Sequence, residues 1–410
     1  MTFEQASSIS PWGSVWLKPR RTIEAIAPAP GLEVWLLAAL GLIGNLIIQL
    51  LLGGWTELLF DWRLVAVIVL FGAMFGIIGL YCCGILFRWS GRLFGGNAPS
   101  PAIRAALAWG QLPILAAVAV YIAAIVGLRL TGGAGSGPGA SDTVLSLMIV
   151  AAQLWTLVMT CLMLSRVQHF GFWRTVASSA LGWLLAWLLL LLLVLPFRTF
   201  ALQPFHIPSS SMTPTLQIGD YLFVSKYSYG YTHYSLPYSP RLFSGRVFAS
   251  EPQRGDVVVY RLPKDDSVDF ISRIVGLPGD RIQMIQGRLH INGEPVKRES
   301  GEDFNLDLGG RSVGVKRWRE TLPNGVTHET LDLHEAGPLD NTAEFKVPAD
   351  HYFMMGDNRD NAMDSRMQSR VGFVPFENIV GRAAFIYVSK ALDPQTGQRV
   401  AGFQRFGRVR

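Results

Sequence analysis

Apolar residues dominate the first half of the chain in five long runs, and then the pattern changes. The runs cover residues 34–53, 64–87, 105–128, 144–164 and 175–196. Each reaches the roughly 20 mostly apolar residues that a helix needs to cross the hydrocarbon core of a bilayer. The last is the most apolar, with LLAWLLLLLLVLP. The pattern predicts an α-helical transmembrane bundle of about five spans over residues 1–197. After Pro196, short β-type runs alternate with turn signals: DVVVYRL, FISRIVGL, DRIQMIQGRLHING, HYFMMGD and GRAAFIYVS. Gln286-Gly287 and Asn292-Gly293 suit tight hairpin turns. With no long 3.6-period amphipathic run in this half, residues 198–410 are predicted to form a mainly antiparallel β domain.

Composition sharpens this division. Half of the 410 residues are hydrophobic and 16% are charged, against roughly 25% charged in soluble domains. The net charge of +6 fits the basic loops of a membrane protein, and no dense basic cluster with interleaved aromatics points to nucleic acid. Lys18, Arg20, Arg21, Arg88, Arg92, Arg104, Arg166 and Arg174 fall on one side of the five spans, Arg63 and Arg129 on the other. By the positive-inside rule the N-terminus is inside and everything after Pro196 lies outside. Cys82, Cys83 and Cys161 all lie in apolar runs. The β half therefore has no disulfide framework, thiolate metal site or Cys nucleophile. The Gly/Ser-rich stretch TGGAGSGPGAS at 131–141 reads as a flexible outer connector. The tyrosine-rich KYSYGYTHYSLPYSPRLFSGRVF, 226–248, reads either as a ribbon on the bilayer surface or as rings packed on the domain's own sheet.

The chemistry concentrates after the last apolar run, at PSSSMTPTLQIGD, 208–220. Three serines in a Pro-bounded turn would ordinarily be turn residues. In the longer HIPSSSMTPTLQIGDYLFVSKYSYG the chain resembles bacterial signal peptidase I, the membrane-anchored serine proteases that cut signal peptides from exported proteins. RGDVVVYRLP, DFISRIVGLPGDRI and GDNRDNAMDSRMQSRVGFVPFENIVGRA resemble the same family in the same order, so the resemblance covers 198–389. It implies Ser211 as nucleophile and Ser209 as a hydroxyl that helps hold the oxyanion, where donors must face developing negative charge. It implies acceptance of small side chains at the first and third positions before the cut bond; the sequence does not fix which residues form those pockets, and Ile207 and Pro208 are candidate wall elements. It implies signal peptides and the lipid bilayer as partners, a bacterial inner membrane as location, and no cofactor or metal. Residues 10–196, starting SPWGSVWLKPRRTIEAIAPAP, faintly resemble Yip1-type membrane domains; a plain anchor fits equally.

Two positions depart from the family pattern. A serine hydroxyl needs a base beside it, and the family uses a buried lysine directly before the arginine of RIVGLPGD. Here that position is Ser272, followed by Arg273. The family's serine after GDNRDN, which orients the lysine, is Ala362. Asp364 and Arg366 keep the supporting positions, as a salt-bridged structural pair. Lys226 is no new device, because active relatives carry a lysine there as well. His206 lies about 16 Å from Ser211 along an extended strand. Two readings stand open. One is a working signal peptidase with an unrecognised base. The other is a catalytically silent relative that binds signal peptides or a membrane partner.

Overall fold

The computed structural model describes residues 10–53, 55–130, 140–307, 312–334, 336–392 and 399–409. The chain divides into two compact units, Met1–Leu192 and Leu193–Arg410.

The first unit is helical: α1 (Pro11–Ser14), α2 (Pro19–Ile26), α3 (Glu33–Leu52), α4 (Trp62–Leu93), α5 (Ser100–Trp109), α6 (Leu112–Leu130), α7 (Ala140–Val167) and α8 (Phe172–Pro196). Among the described residues, five helical stretches are long and apolar enough to cross a membrane, and the chain is a multi-pass membrane protein. The third expected span, 105–128, is not one straight helix. It breaks at Gly110–Gln111 between α5 and α6, where a Cβ on Gly110 would collide with the Thr160 side chain of α7. In the bilayer, helices associate through close packing of small residues and through interhelical hydrogen bonds. Both occur here. Gly72 and Gly76 of α4 lie against Ile43 and the Ala38 carbonyl of α3. Ser90 Oγ of α4 donates to the Ser178 carbonyl of α8 at 2.8 Å. Of the connector at 131–141, all but Ala140 and Ser141, which open α7, lies outside the described residues.

The second unit is built on antiparallel β-sheet, as the turn-punctuated pattern predicts. Its main sheet runs in the order β1 (Leu202–His206), β2 (Asp220–Ser225), β15 (Ile379–Leu392), β3 (Val257–Leu262), β4 (Asp265–Gly276), β13 (His351–Met355) and β14 (Val374–Pro375). Strands β16 (Arg399–Gly402) and β17 (Gly407–Arg408) pair with β15. A second sheet joins β5 (Arg281–Ile285), β6 (Arg288–Ile291), β7 (Glu294–Pro295) and β12 (Phe345–Lys346). A third joins β8 (Lys297–Ser300), β9 (Phe304–Asp307), β10 (Ser312–Thr321) and β11 (Thr327–Asp332).

Why the run DVVVY is continuously apolar follows from β3. Val257 and Val259 enter one core with Ile207, Met212, Leu216 and Leu222. Val258 and Tyr260 enter another with Ile274, Tyr352 and Met354. A strand buried on both faces loses the alternation of a half-exposed one. Gln286-Gly287 and Asn292-Gly293 take positive φ at all four residues, the condition of a type I′ hairpin turn. The tyrosine-rich segment divides between its two readings. Tyr229 is buried and donates to Asp256 at 2.7 Å, whereas Tyr227, Tyr238 and Phe248 are exposed.

Candidate active site

Ser211 lies in the turn between β1 and β2, half-buried. The turn is held by the polar block after β13. The Asn358 backbone N–H donates to the Ser211 carbonyl at 3.0 Å, and Asn358 Nδ2 donates to the Ser210 carbonyl at 3.0 Å. Asn361 Nδ2 donates to Ser210 Oγ at 2.7 Å. From behind, Arg405 Nη2 donates to the Thr215 carbonyl at 2.8 Å while its Nε sits 3.1 Å from both oxygens of buried Asp220. Backbone atoms fixed this way leave the Ser211 side chain as the turn's free chemistry. Its Oγ lies 3.3 Å from Ser209 Oγ. Among the described residues, no Lys, His, Asp or Glu side chain hydrogen-bonds to Ser211.

Ser272 is buried on β4 directly opposite Val258. Its Oγ meets Tyr260 Oη at 3.4 Å, so the position where the family resemblance asks for an amine holds one half of a neutral hydroxyl pair. Burial drives the Tyr260 phenol above its ordinary range; the Ser272 hydrogen bond pulls it down and the Asp364 charge pushes it further up. Tyr260 is thus a protonated phenol at neutral pH and supplies no base. No hydrogen bond joins Ser272 to Ser211.

Ala362 is buried beside Gly356. A Cβ on Gly356 would collide with the Ala362 methyl and lie 2.7 Å from the Ser211 carbonyl oxygen. Only glycine allows this close approach of the block to the serine turn. Asp364 and Arg366 pair through two contacts, Nε–Oδ1 at 2.9 Å and Nη2–Oδ2 at 2.8 Å. Asp364 also accepts from the Gly356 N–H at 3.1 Å, which ties the pair to the same glycine. Arg273, fully buried, forks onto Asp357 at 2.8 and 2.7 Å, and Asp357 accepts from Thr215 Oγ1 at 2.5 Å. Burial opposes ionisation of Asp357, but the Arg273 charge and hydrogen bonds outweigh it and hold the carboxyl below its usual range. Beyond it, Arg359 pairs with Glu320 on β10, and buried His328 on β11 lies 3.7 Å from Glu320 and 3.9 Å from Asp357.

Neither alternative base considered from the sequence reaches Ser211 by a hydrogen bond. The His206 ring is exposed and packs on Tyr221. Lys226 is buried, and its Nζ donates to the Ser235 carbonyl at 2.8 Å. Burial, helped by the Arg198 charge, brings it down to about 8. Tyr260, Asn358, Asn361, Asp357, Arg405 and His328 escaped sequence reasoning as parts of the site. The crowding of polar residues in GDNRDNAMDSR was a signal for three of them. For Arg405, far along the chain in a Gly/Arg-rich tail, nothing local was.

A hydroxyl nucleophile candidate on a pinned turn, over an antiparallel sheet and in a chain with membrane-spanning helices, is the frame of a membrane-bound peptidase of the serine class. Comparison with known proteins specifies it. The family described as "Signal peptidase, peptidase S26" matches residues 180–388, half of the chain. Signal peptidase I of Rickettsia typhi is 43% identical over 205 residues, covering 48% of this chain and 76% of that protein. Signal peptidase I of Rickettsia prowazekii is 42% identical over the same shares. A solved signal peptidase I from Enterococcus faecalis V583 is 25% identical and covers 32% of this chain and 97% of its own, with a TM-score of 0.19. The chain belongs to the signal peptidase family, peptidase S26.

Proposed function

We propose that this protein receives the signal peptides of exported pre-proteins at the Ser211 turn and hydrolyses them slowly or not at all. Residues 198–410 form the peptide-binding domain on the outer face of a bacterial inner membrane. Residues 1–197, in part Yip1-like, form its membrane domain. Ser209 and the Ser211 N–H supply the oxyanion donors, and Ile207 and Pro208 wall the pockets for small side chains. Arg273, Asp364 and Arg366 brace the site. The observation that carries the reading is the pairing of Ser272 with Tyr260 while Ser211 Oγ has Ser209 as its hydrogen-bond partner. Missing general-base catalysis costs about 10²–10⁴-fold, and loss of a cooperative nucleophile–base unit about 10⁶-fold. Peptide binding loses far less.

The test uses the full chain in detergent with a pre-protein. Photo-crosslinkers at the peptide's small residues should label the turn from Pro208 to Met212, with little or no shortened product above that of Ser211→Ala. Labelling confined to the helices would refute the reading. The second reading, a working signal peptidase, is favoured by the family match over residues 180–388. On that reading the wild type cleaves, and Ser211→Ala abolishes cleavage.

A further inference from the structure

Helix α2 carries PRRTIEAI, and its two faces differ. Pro19, Thr22, Ile23 and Ile26 are buried, while Arg20 and Arg21 are exposed. Glu24 of α2 pairs with Arg166 at the end of α7. Arg20, one turn earlier, has no ion pair or hydrogen bond among the described residues. It stands at an apolar cavity of about 420 Å³ between α7 and α8, lined among others by Leu157 and Cys161 of α7 and by Val176, Ala180 and Trp183 of α8.

The depth of this cavity is informative. Its lining runs along α8 from Phe172 to Trp183, a span of about 16 Å at a helical rise of ~1.5 Å per residue. That is about half of the ~30 Å hydrocarbon core, the thickness of one leaflet. One end carries the cation and the helix termini near Arg166 and Arg174; the other ends at the Trp183 indole. An apolar slot one leaflet deep with an unpaired guanidinium at its polar end complements a lipid in charge and in length.

We propose that this cavity binds one anionic glycerophospholipid from the leaflet that holds Arg20. The phosphate pairs with the Arg20 guanidinium, and an acyl chain lies along Leu157, Val176 and Ala180 to Trp183. Exposed Lys18, Arg21 and Arg174 add a positive field that favours a net-negative headgroup over a zwitterionic one, by about fivefold for each cation close to the phosphate.

The experiment uses the full chain in mild detergent, titrated with phosphatidylglycerol or phosphatidylcholine brominated on the acyl chain. Tryptophan quenching is read as the difference between wild type and Trp183→Phe, which isolates the indole in the cavity. Phosphatidylglycerol should quench Trp183 at a mole fraction several-fold lower than phosphatidylcholine. Arg20→Glu should abolish or reverse that preference, a shift of about 5- to 30-fold, and Ala180→Phe, which fills the slot, should remove the quenching. Native mass spectrometry of wild type and Arg20→Gln provides a second readout that does not depend on the filled variant folding: the wild type should retain one phosphatidylglycerol and Arg20→Gln should release it. Equal quenching by the two lipids overturns the proposal. So does unchanged quenching in a folded Ala180→Phe, or displacement of the lipid by a signal peptide.

Discussion

Placing a lysine where the family resemblance asks for one tests the site most directly. In Ser272→Lys plus Ala362→Ser, the lysine replaces a side chain that is 3% exposed and packed against Tyr260. The carboxylate whose charge acts on that phenol, Asp364, is already held by Arg366. Burial therefore sets the new amine's titration. Lys226, 4% exposed in the same unit, stands at about 8, so a lysine at 272 should titrate at about 8 or lower by the same desolvation. From an ordinary value of ~10.4 this costs about 3 kcal/mol. The folded-state pKa is depressed, so the cost is fully present below about 8 and disappears as the pH rises past ~10.4. The double mutant should accordingly be least stable at neutral and acid pH. Its activity has the same sign, because the neutral amine is the base. About 10% of it is neutral at pH 7 and most of it at pH 9. Cleavage of a pre-protein, followed as the shortened product on a gel, should rise with pH to a plateau and exceed wild type by about 10²–10⁴-fold. Ser272→Lys alone should gain less, because without the new hydroxyl beside Gly356 nothing orients the ammonium. Adding Ser211→Ala should abolish product. The reasoning fails if wild type already cleaves as fast as the double mutant. It fails equally if a folded, peptide-binding double mutant yields no product between pH 6 and 10.

Other outcomes follow from the packing around the turn. Gly356→Ala forces the block away from Ser211, so it should lower stability by about 1–3 kcal/mol in denaturant melts and weaken peptide crosslinking at Pro208–Met212. Arg273→Met leaves Asp357 buried and unpaired, and should cost about 3–5 kcal/mol; an unchanged denaturation midpoint would contradict that. Burial, with the Arg273 charge, holds His328 at about 4, below its ordinary 6.5, so its contribution to stability is present above pH 6.5 and lost as pH falls towards 4. That contribution is about 3 kcal/mol, and His328→Gln should flatten the pH dependence of Tm across this window. For the orientation, protease added to the outer face of intact spheroplasts should digest the region after Arg198; cutting confined to the connection between α4 and α5, residues 94–99, would reverse the topology.

The five spans were legible because crossing a bilayer demands length and apolarity, both local properties of the chain. The β3 core run and the Gln286-Gly287 hairpin were legible for a similar reason: burial on two faces and positive φ each select residue types directly. The break between α5 and α6 was not, since Gly110 is required by Thr160 of a different helix. Strand β4 begins at Asp265, earlier than the apolar pattern from Phe270 suggests, because the exposed end of the β3–β4 hairpin needs only backbone pairing. Strands β8 to β11 carry many charged side chains and gave no strong strand signal. At the site, the departures at Ser272 and Ala362 could be read one position at a time. Their consequence depends on Tyr260 reaching Ser272 across the β3–β4 register, on Gly356 bringing Ala362 against the Ser211 turn, and on Arg405 gripping that turn from the far end of the chain. Such contacts join residues separated by 12 to 191 positions. Side-chain reach across a folded sheet decides them, and no local pattern encodes it.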